Sequence, residues 1–200
     1  MSSPPPKTRM GSSERRQHLI DVSIELFARR SYATVTTAQI AEKAGVSEAI
    51  IYRHFKSKKA LFLACFQEGI ADYLIGRYRK LWVTLKDDPR GYLRAVGLEY
   101  FRFVVERPMQ ARFLALTLTA SYDADISRAL HDFLEINVKT VAQVCKRIFK
   151  DSPPSPPIHP RRAAWLFVGH YYTMVVLKEL FPKDAGVKTV KEMIDFSLRP

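Results

Sequence analysis

Between Thr37 and Lys56 the chain gathers side chains fit for recognition rather than for bond making. Ser47, Glu48, Ala49, Tyr52, Arg53 and His54 fall within eight residues, and Lys56, Lys58 and Lys59 follow directly. An arginine fork matches a guanine edge, and an alanine methyl suits a thymine methyl. Hydroxyls, imidazole and ammonium groups suit phosphate oxygens, which position a protein without specifying sequence. No nucleophile–base pair and no glycine-rich phosphate loop accompanies them.

Such side chains work only if rigid elements present them together. Thr37 to Ala44 reads as a short helix capped by Thr36 or Thr37. Gly45 ends it in the left-handed region, where glycine is the favoured residue. Ser47 caps a third helix running to about His54. Its exposed backbone N–H groups form an anion-attracting end. Ala41 is small enough for the next helix to approach, and Ile40, Val46, Ile51 and Phe55 supply a small core. This is the spacing of a helix-turn-helix.

The charge balance agrees with a polyanionic partner. The chain has 200 residues and a net charge of +12. Its first eighty residues carry fourteen Lys/Arg against seven Asp/Glu. On its own the excess serves solubility as well as phosphate binding. Beside this motif it favours phosphate, through release of condensed counterions.

The remaining pattern is helical throughout. Residues 1–12, with three prolines, read as a disordered basic arm tipped by Lys7 and Arg9. Ser13 caps a first helix to about residue 31, whose stripe is Ile20, Ile24 and Phe27. Ser57 caps a long fourth helix reaching Arg79 or Leu85. Further helices follow at about 89–106, 108–119, 125–149, 160–181 and 187–198, separated by Pro89, Pro108, the segment Ser152–Pro157 and a turn at 182–186. The expected fold is all-α with about nine helices. An N-terminal three-helix domain (13–60) precedes a helical body (61–200).

Other classes are weaker. Cys65 and Cys145 lie in apolar surroundings with no CxxC or Cys/His cluster, so no metal or cofactor is expected and both read as buried thiols. The uncharged stretch Ala163–Leu177 falls short of the roughly 20 residues that span a bilayer. No signal-peptide core is visible, so the expected location is the cytoplasm, at the nucleoid. His159, His170, Asp123 and Asp125 are the notable titratable groups of the body, and they fit no catalytic spacing. An enzyme therefore ranks below a DNA-binding protein. An architectural DNA binder explains the charge but leaves the large apolar body unexplained.

The run from Thr36 to Leu61 closely resembles the TetR/AcrR family of bacterial regulators. The shared pattern is Thr-Thr-x-x-Ile-Ala-x-x-Ala-Gly-Val-Ser-x-x-x-Ile-Tyr-x-His-Phe-x-x-Lys-x-x-Leu. The resemblance extends over Ser13 to Phe66, with Phe27 packed under the motif. It implies a homodimer on a (pseudo)palindromic double-stranded operator, released as a repressor by a small effector. DNA contact is expected at Thr36, Thr37, Ser47, Glu48, Ala49, Tyr52, Arg53, His54 and Lys58. The last two helices are expected to form the dimer interface, with the apolar run Ala163–Gly169 in it.

The body shows no motif of its own. Its aromatic content points to a hydrophobic or aromatic ligand in an apolar cavity with scattered polar groups. The residues expected to line it are Tyr100, Phe103, Phe113, Thr117, Phe133, Asn137, His170 and Tyr171. Arg94, Arg102 and Arg112 could meet an anionic ligand, although a solvated helix face explains each.

Overall fold

The computed structural model describes residues 10–183 and 186–197. The basic tip formed by Lys7 and Arg9 lies outside the described residues. Among those described, every regular element is a helix. The expected all-α fold is therefore the observed one.

Helix α1 spans Ser12–Arg29. Its cap is Gly11 and not Ser13. The Glu14 carboxylate reaches back to accept from the Gly11 N–H at 2.9 Å, which satisfies one of the helix's orphan donors. Helix α2 is Thr37–Ala44, and Thr36 caps it in a reciprocal box with Gln39. Helix α3 is Glu48–His54. Helix α4 begins at Lys58, with the Ser57 hydroxyl accepting from the Ala60 N–H. It runs through a π-helical turn, Gln67–Ala71, to Leu85.

That π turn is a departure from the uninterrupted helix expected. Gly69 sits in it, against α1. A Cβ there would lie 2.6 Å from Ile24 Cδ1. The widened turn re-phases the buried stripe, from Leu61, Phe62 and Cys65 before it to Ile70, Leu74 and Tyr78 after it.

The body follows as α5 (Pro89–Glu106), α6 (Pro108–Thr117), α7 (Ala124–Asp151), α8 (Pro160–Leu180) and α9 (Val187–Ser197). Asp88 caps α5, Asp123 caps α7, and His159 Nδ1 accepts from Arg161 N–H at the start of α8. His159 and Asp123, noted in the sequence, thus hold helix ends. Arg94, Arg102 and Arg112 also bind within the protein. They pair with Asp195, Glu99 and Glu179 respectively.

The N-terminal helices and the body share one core. Phe62 on α4 meets Phe27 of α1 at 5.0 Å and Phe113 of α6 at 5.0 Å, both edge-on. Tyr32 closes the cluster at 4.8 Å from Phe62. Edge-to-face rings gain beyond their buried area. Ion pairs add a second tie, since Lys59 at the start of α4 binds Asp125 at 2.5 Å and Asp123 at 3.5 Å at the start of α7.

Glu135 of α7 receives both Arg161 of α8 and Lys139. These partners, the Arg161 hydrogen bond first, hold its carboxyl down at about 2 from an ordinary 4.5. A depressed carboxylate adds stability above its unfolded pKa, and the gain is lost as pH falls through the folded value. Glu135→Gln should therefore flatten the stability profile between pH 4.5 and 2. Urea melts at pH 7, 4 and 2.5 will test this. The same acid slope in variant and parent would assign the pair no net role.

Both cysteines are buried. Burial pushes the Cys65 thiol well up, and the Cys145 thiol up to about 11. Each stays protonated at neutral pH and packs as a small apolar group.

Candidate nucleic-acid interface and ligand cavity

The geometry of the helix-turn-helix follows from local chemistry. Gly45 adopts φ +66° and ψ +37° at the end of α2, and its N–H and that of Val46 close the turn onto Glu42 and Ala41 carbonyls. Ile40, Ala41, Ala44, Ile51 and Phe55 are buried between the helices. With Ile51 turned inward, the opposite face of α3 is left in solvent. Ser47, Glu48, Ala49, Tyr52 and Arg53 are all exposed there, Tyr52 at 51% despite its ring.

Thr36 and Thr37 join that face from the start of α2. The Thr37 hydroxyl donates to Glu48 Oε2 at 2.5 Å and lies 3.3 Å from the Tyr52 hydroxyl. These bonds brace α3 against α2. The structure thus brings Thr36, Thr37, Ser47, Glu48, Ala49, Tyr52 and Arg53 onto one surface. His54 is half-buried at its edge.

Two lysines behave otherwise. Lys58 Nζ donates to the Tyr32 and Val35 carbonyls at 2.9 and 3.0 Å, and sits over the Tyr32 ring. It ties the α1–α2 connection to α4. Lys59 is held by Asp125. Of the cluster at 56–59, Lys56 alone is fully exposed.

Arg16 is a residue that sequence reasoning missed. It donates to the His54 carbonyl at 3.1 Å, at the C-terminal end of α3, and lies 4.4 Å over the Phe55 ring. It also makes a bidentate pair with Glu68 inside the π turn of α4, at 2.5 and 3.1 Å. The same side chain therefore grips both the exposed helix α3 and the long helix α4. Its partners lie 38 and 52 residues away, beyond any local pattern.

In the body, α4, α5, α7 and α8 line a half-open cavity of about 740 Å³. Helix α4 contributes Ile75, Tyr78, Arg79, Trp82 and Val83, one face at helical spacing. Helix α5 adds Tyr92 and Val96. Helix α7 adds Asn137, Val141, Val144 and Arg147, and α8 adds Tyr171. Trp82 and Tyr92 meet edge-on at 5.1 Å, and Arg147 lies 5.8 Å over Trp82.

Of the eight expected lining residues, Asn137 and Tyr171 border this cavity. Tyr100 stacks behind Tyr171, with ring centroids 4.2 Å apart. Phe103 packs beside Tyr100, and Phe133 packs against Phe66. Phe113 belongs to the aromatic cluster shared with α1 and α4. The Thr117 hydroxyl is spent on the Phe113 carbonyl at 2.9 Å. His170 opens onto a different surface groove, beside Trp165, Leu166 and Phe196. Burial lowers its pKa.

Among the described residues, no group of three or more His, Cys, Asp or Glu could hold a metal ion. None of their helices is long and apolar enough to cross a membrane.

Known proteins resemble this chain in sequence and in fold. Residues 19–65 match the family described as bacterial regulatory proteins, tetR family. The chain is 36% identical over 96 residues to the HTH-type transcriptional activator FasR of Mycolicibacterium smegmatis, covering 48% of this chain and 43% of FasR. It thus matches less than half the length of that relative. Its fold is that of fatty acid degradation regulator FadR from Bacillus halodurans, with a TM-score of 0.74, 18% identity, and 96% and 97% of the two chains covered. FadR from Bacillus subtilis, solved with stearoyl-CoA, has the same fold at a TM-score of 0.71, 17% identity, and 91% and 95% coverage. Residues 19–65 thus match the helix-turn-helix segment of the tetR family of bacterial regulatory proteins, and the described chain as a whole has the fold of the two FadR structures.

Proposed function

We propose that this protein is a ligand-responsive transcriptional regulator that binds a palindromic operator as a homodimer. The single observation that carries the reading is the solvent face of α3, which holds Glu48, Ala49, Tyr52 and Arg53 clear of the core on a helix braced against α2. A helix of this kind enters the major groove by its N-terminal end. Arg53 and Ala49 read base edges, while Thr36, Thr37, Ser47, Tyr52 and His54 bond phosphate. Glu48 faces the bases as an acceptor for a cytosine amino group. Lys58 acts by holding the α1–α2 connection under the helix. Lys56 supplies phosphate charge on the flank.

Residues 13–60 serve as the reading head and 61–200 as the body. The second copy docks on the exposed stripe of α8, where Trp165, Leu166, Val176 and Leu180 stand in solvent beside Phe196 of α9. Gly169 in the same stripe faces open space and admits close approach. The effector is a small hydrophobic or aromatic molecule in the 740 Å³ cavity, a volume suited to such ligands. Regulation requires that the ligand favour one spacing of the two heads. Arg16 carries that preference from α4 to α3. Repression, relieved by the effector, is the proposed mode, and the protein works in the cytoplasm as a regulator and not an enzyme.

A gel-shift titration on a palindromic fragment at physiological salt tests the reading. The parent should bind specifically, and Tyr52→Ala should weaken binding about tenfold to 150-fold, the loss of one hydrogen bond to a charged group. Absence of sequence-specific binding by the parent would sink the proposal.

A further inference from the structure

The cavity has a chemical polarity of its own. Tyr78 and Tyr171 border it and are 8% and 5% exposed. Neither hydroxyl makes a well-aligned hydrogen bond with another described residue, although the two lie close enough to each other to interact. Native interiors rarely leave such groups unpaired, so each exception calls for an explanation. Burial pushes both phenols well above their ordinary pKa, so both keep their protons and remain donors. Tyr100, stacked on Tyr171, holds that ring in place.

The opposite character appears at the rim. Arg79 and Arg147 border the same cavity and are both exposed. Arg147 is steadied by Trp82 and by a 2.6 Å bond to the Lys86 carbonyl. Between rim and floor the walls are mainly apolar, with Ile75, Val96, Val141 and Val144, interrupted by Asn137 and Thr140 of α7. A wholly apolar ligand would leave the two inner donors without a well-aligned acceptor. A second anionic group at the inner end would lose its water among apolar walls.

Resting on the reading of this cavity as the effector site, we propose that it selects an apolar organic anion with a carbonyl oxygen at the end remote from its acid group. The carbonyl accepts from Tyr78 and Tyr171, and the acid stays at the rim with Arg79 and Arg147. The apolar body lies along the valine and isoleucine walls. A site built to donate hydrogen bonds rejects an analogue lacking the acceptor more strongly than one lacking a methylene.

Three ten-carbon probes separate the contributions: 9-oxodecanoate, decanoate and 2-decanone. Each is titrated against the full-length protein for displacement of the fluorescent dye 8-anilinonaphthalene-1-sulfonate. The keto acid should displace the dye at a concentration at least tenfold below either partial analogue. Tyr78→Phe combined with Tyr171→Phe should erase its advantage over decanoate and leave decanoate unchanged. The same variant should melt no lower than the parent when ligand-free, since it loses two buried hydroxyls that no core group pairs. Arg79→Gln combined with Arg147→Gln should erase the advantage over 2-decanone. Equal affinity for all three probes, or a gap that survives removal of both tyrosine hydroxyls, overturns the proposal. Val144→Trp, which fills the cavity, is the control for the site itself. If it abolishes dye binding while no probe displaces the dye, the ligand class is wrong and the effector site stands. If the dye fails to bind, or binds regardless of Val144→Trp, the effector-site reading falls and the ligand class with it.

Discussion

Phe62→Ala should destabilise the protein by about 3–5 kcal/mol, the usual loss for a fully buried phenylalanine. Phe62 is 2% exposed and meets Phe27, Tyr32 and Phe113 within one aromatic cluster. Removing it strips three ring contacts and leaves a void that rigid helices close poorly. For a chain of this size the loss corresponds to a fall in Tm of roughly 6–20 °C. The cluster spans α1, α4 and α6, so the DNA-reading helices and the body should unfold together. A head of about 50 residues buries too small a fraction of its surface to stand comfortably alone. Urea unfolding followed by far-ultraviolet circular dichroism and by fluorescence of Trp82 and Trp165, both in the body, checks this. A separate early transition for the head, with the body's midpoint unmoved, would contradict the shared core.

Arg53→Ala should cost about 1–3 kcal/mol in operator affinity, roughly fivefold to 150-fold, concentrated at one base pair of each half-site. Arg53 is exposed on α3 beside Ala49 and Tyr52. It lies one turn along from Ala49, so the two reach neighbouring steps of the groove. The fold should survive, since no core contact is lost. The informative measurement is affinity for operators varied base by base, repeated across a salt series. A base contact predicts loss of discrimination at one position. A uniform loss across all sequences, with a salt slope shallower by about one, would instead make Arg53 a phosphate contact.

The reading face was legible in the sequence because its geometry is local. Gly45 needs only its own positive φ to turn the chain. Thr36 and Gln39 complete a capping box three residues apart. Ile40, Ala41, Ile51 and Phe55 are fixed as core by helical period, so Glu48, Ala49, Tyr52 and Arg53 must face out. Helix boundaries followed from prolines and caps for the same reason. The π turn at Gln67–Ala71 was not legible, because it depends on how closely Gly69 passes Ile24 of another helix.

Long-range packing decided the rest. Aromatic type alone did not separate Tyr171, which borders the cavity, from Tyr100 stacked behind it or from Phe113 in the shared core. All three are apolar, large and at helical spacing. Lys58 and Arg16 look alike in sequence as basic residues near the motif. The fold turns one onto the carbonyls of Tyr32 and Val35, and the other into a link between α3 and α4. By itself the sequence determined the helices, the turn and the solvent face of α3, because those follow from caps, backbone dihedrals and periodicity within a few residues. The tertiary structure alone decided the cavity, its buried tyrosine hydroxyls and the Arg16 link, because each depends on distances between helices far apart in the chain.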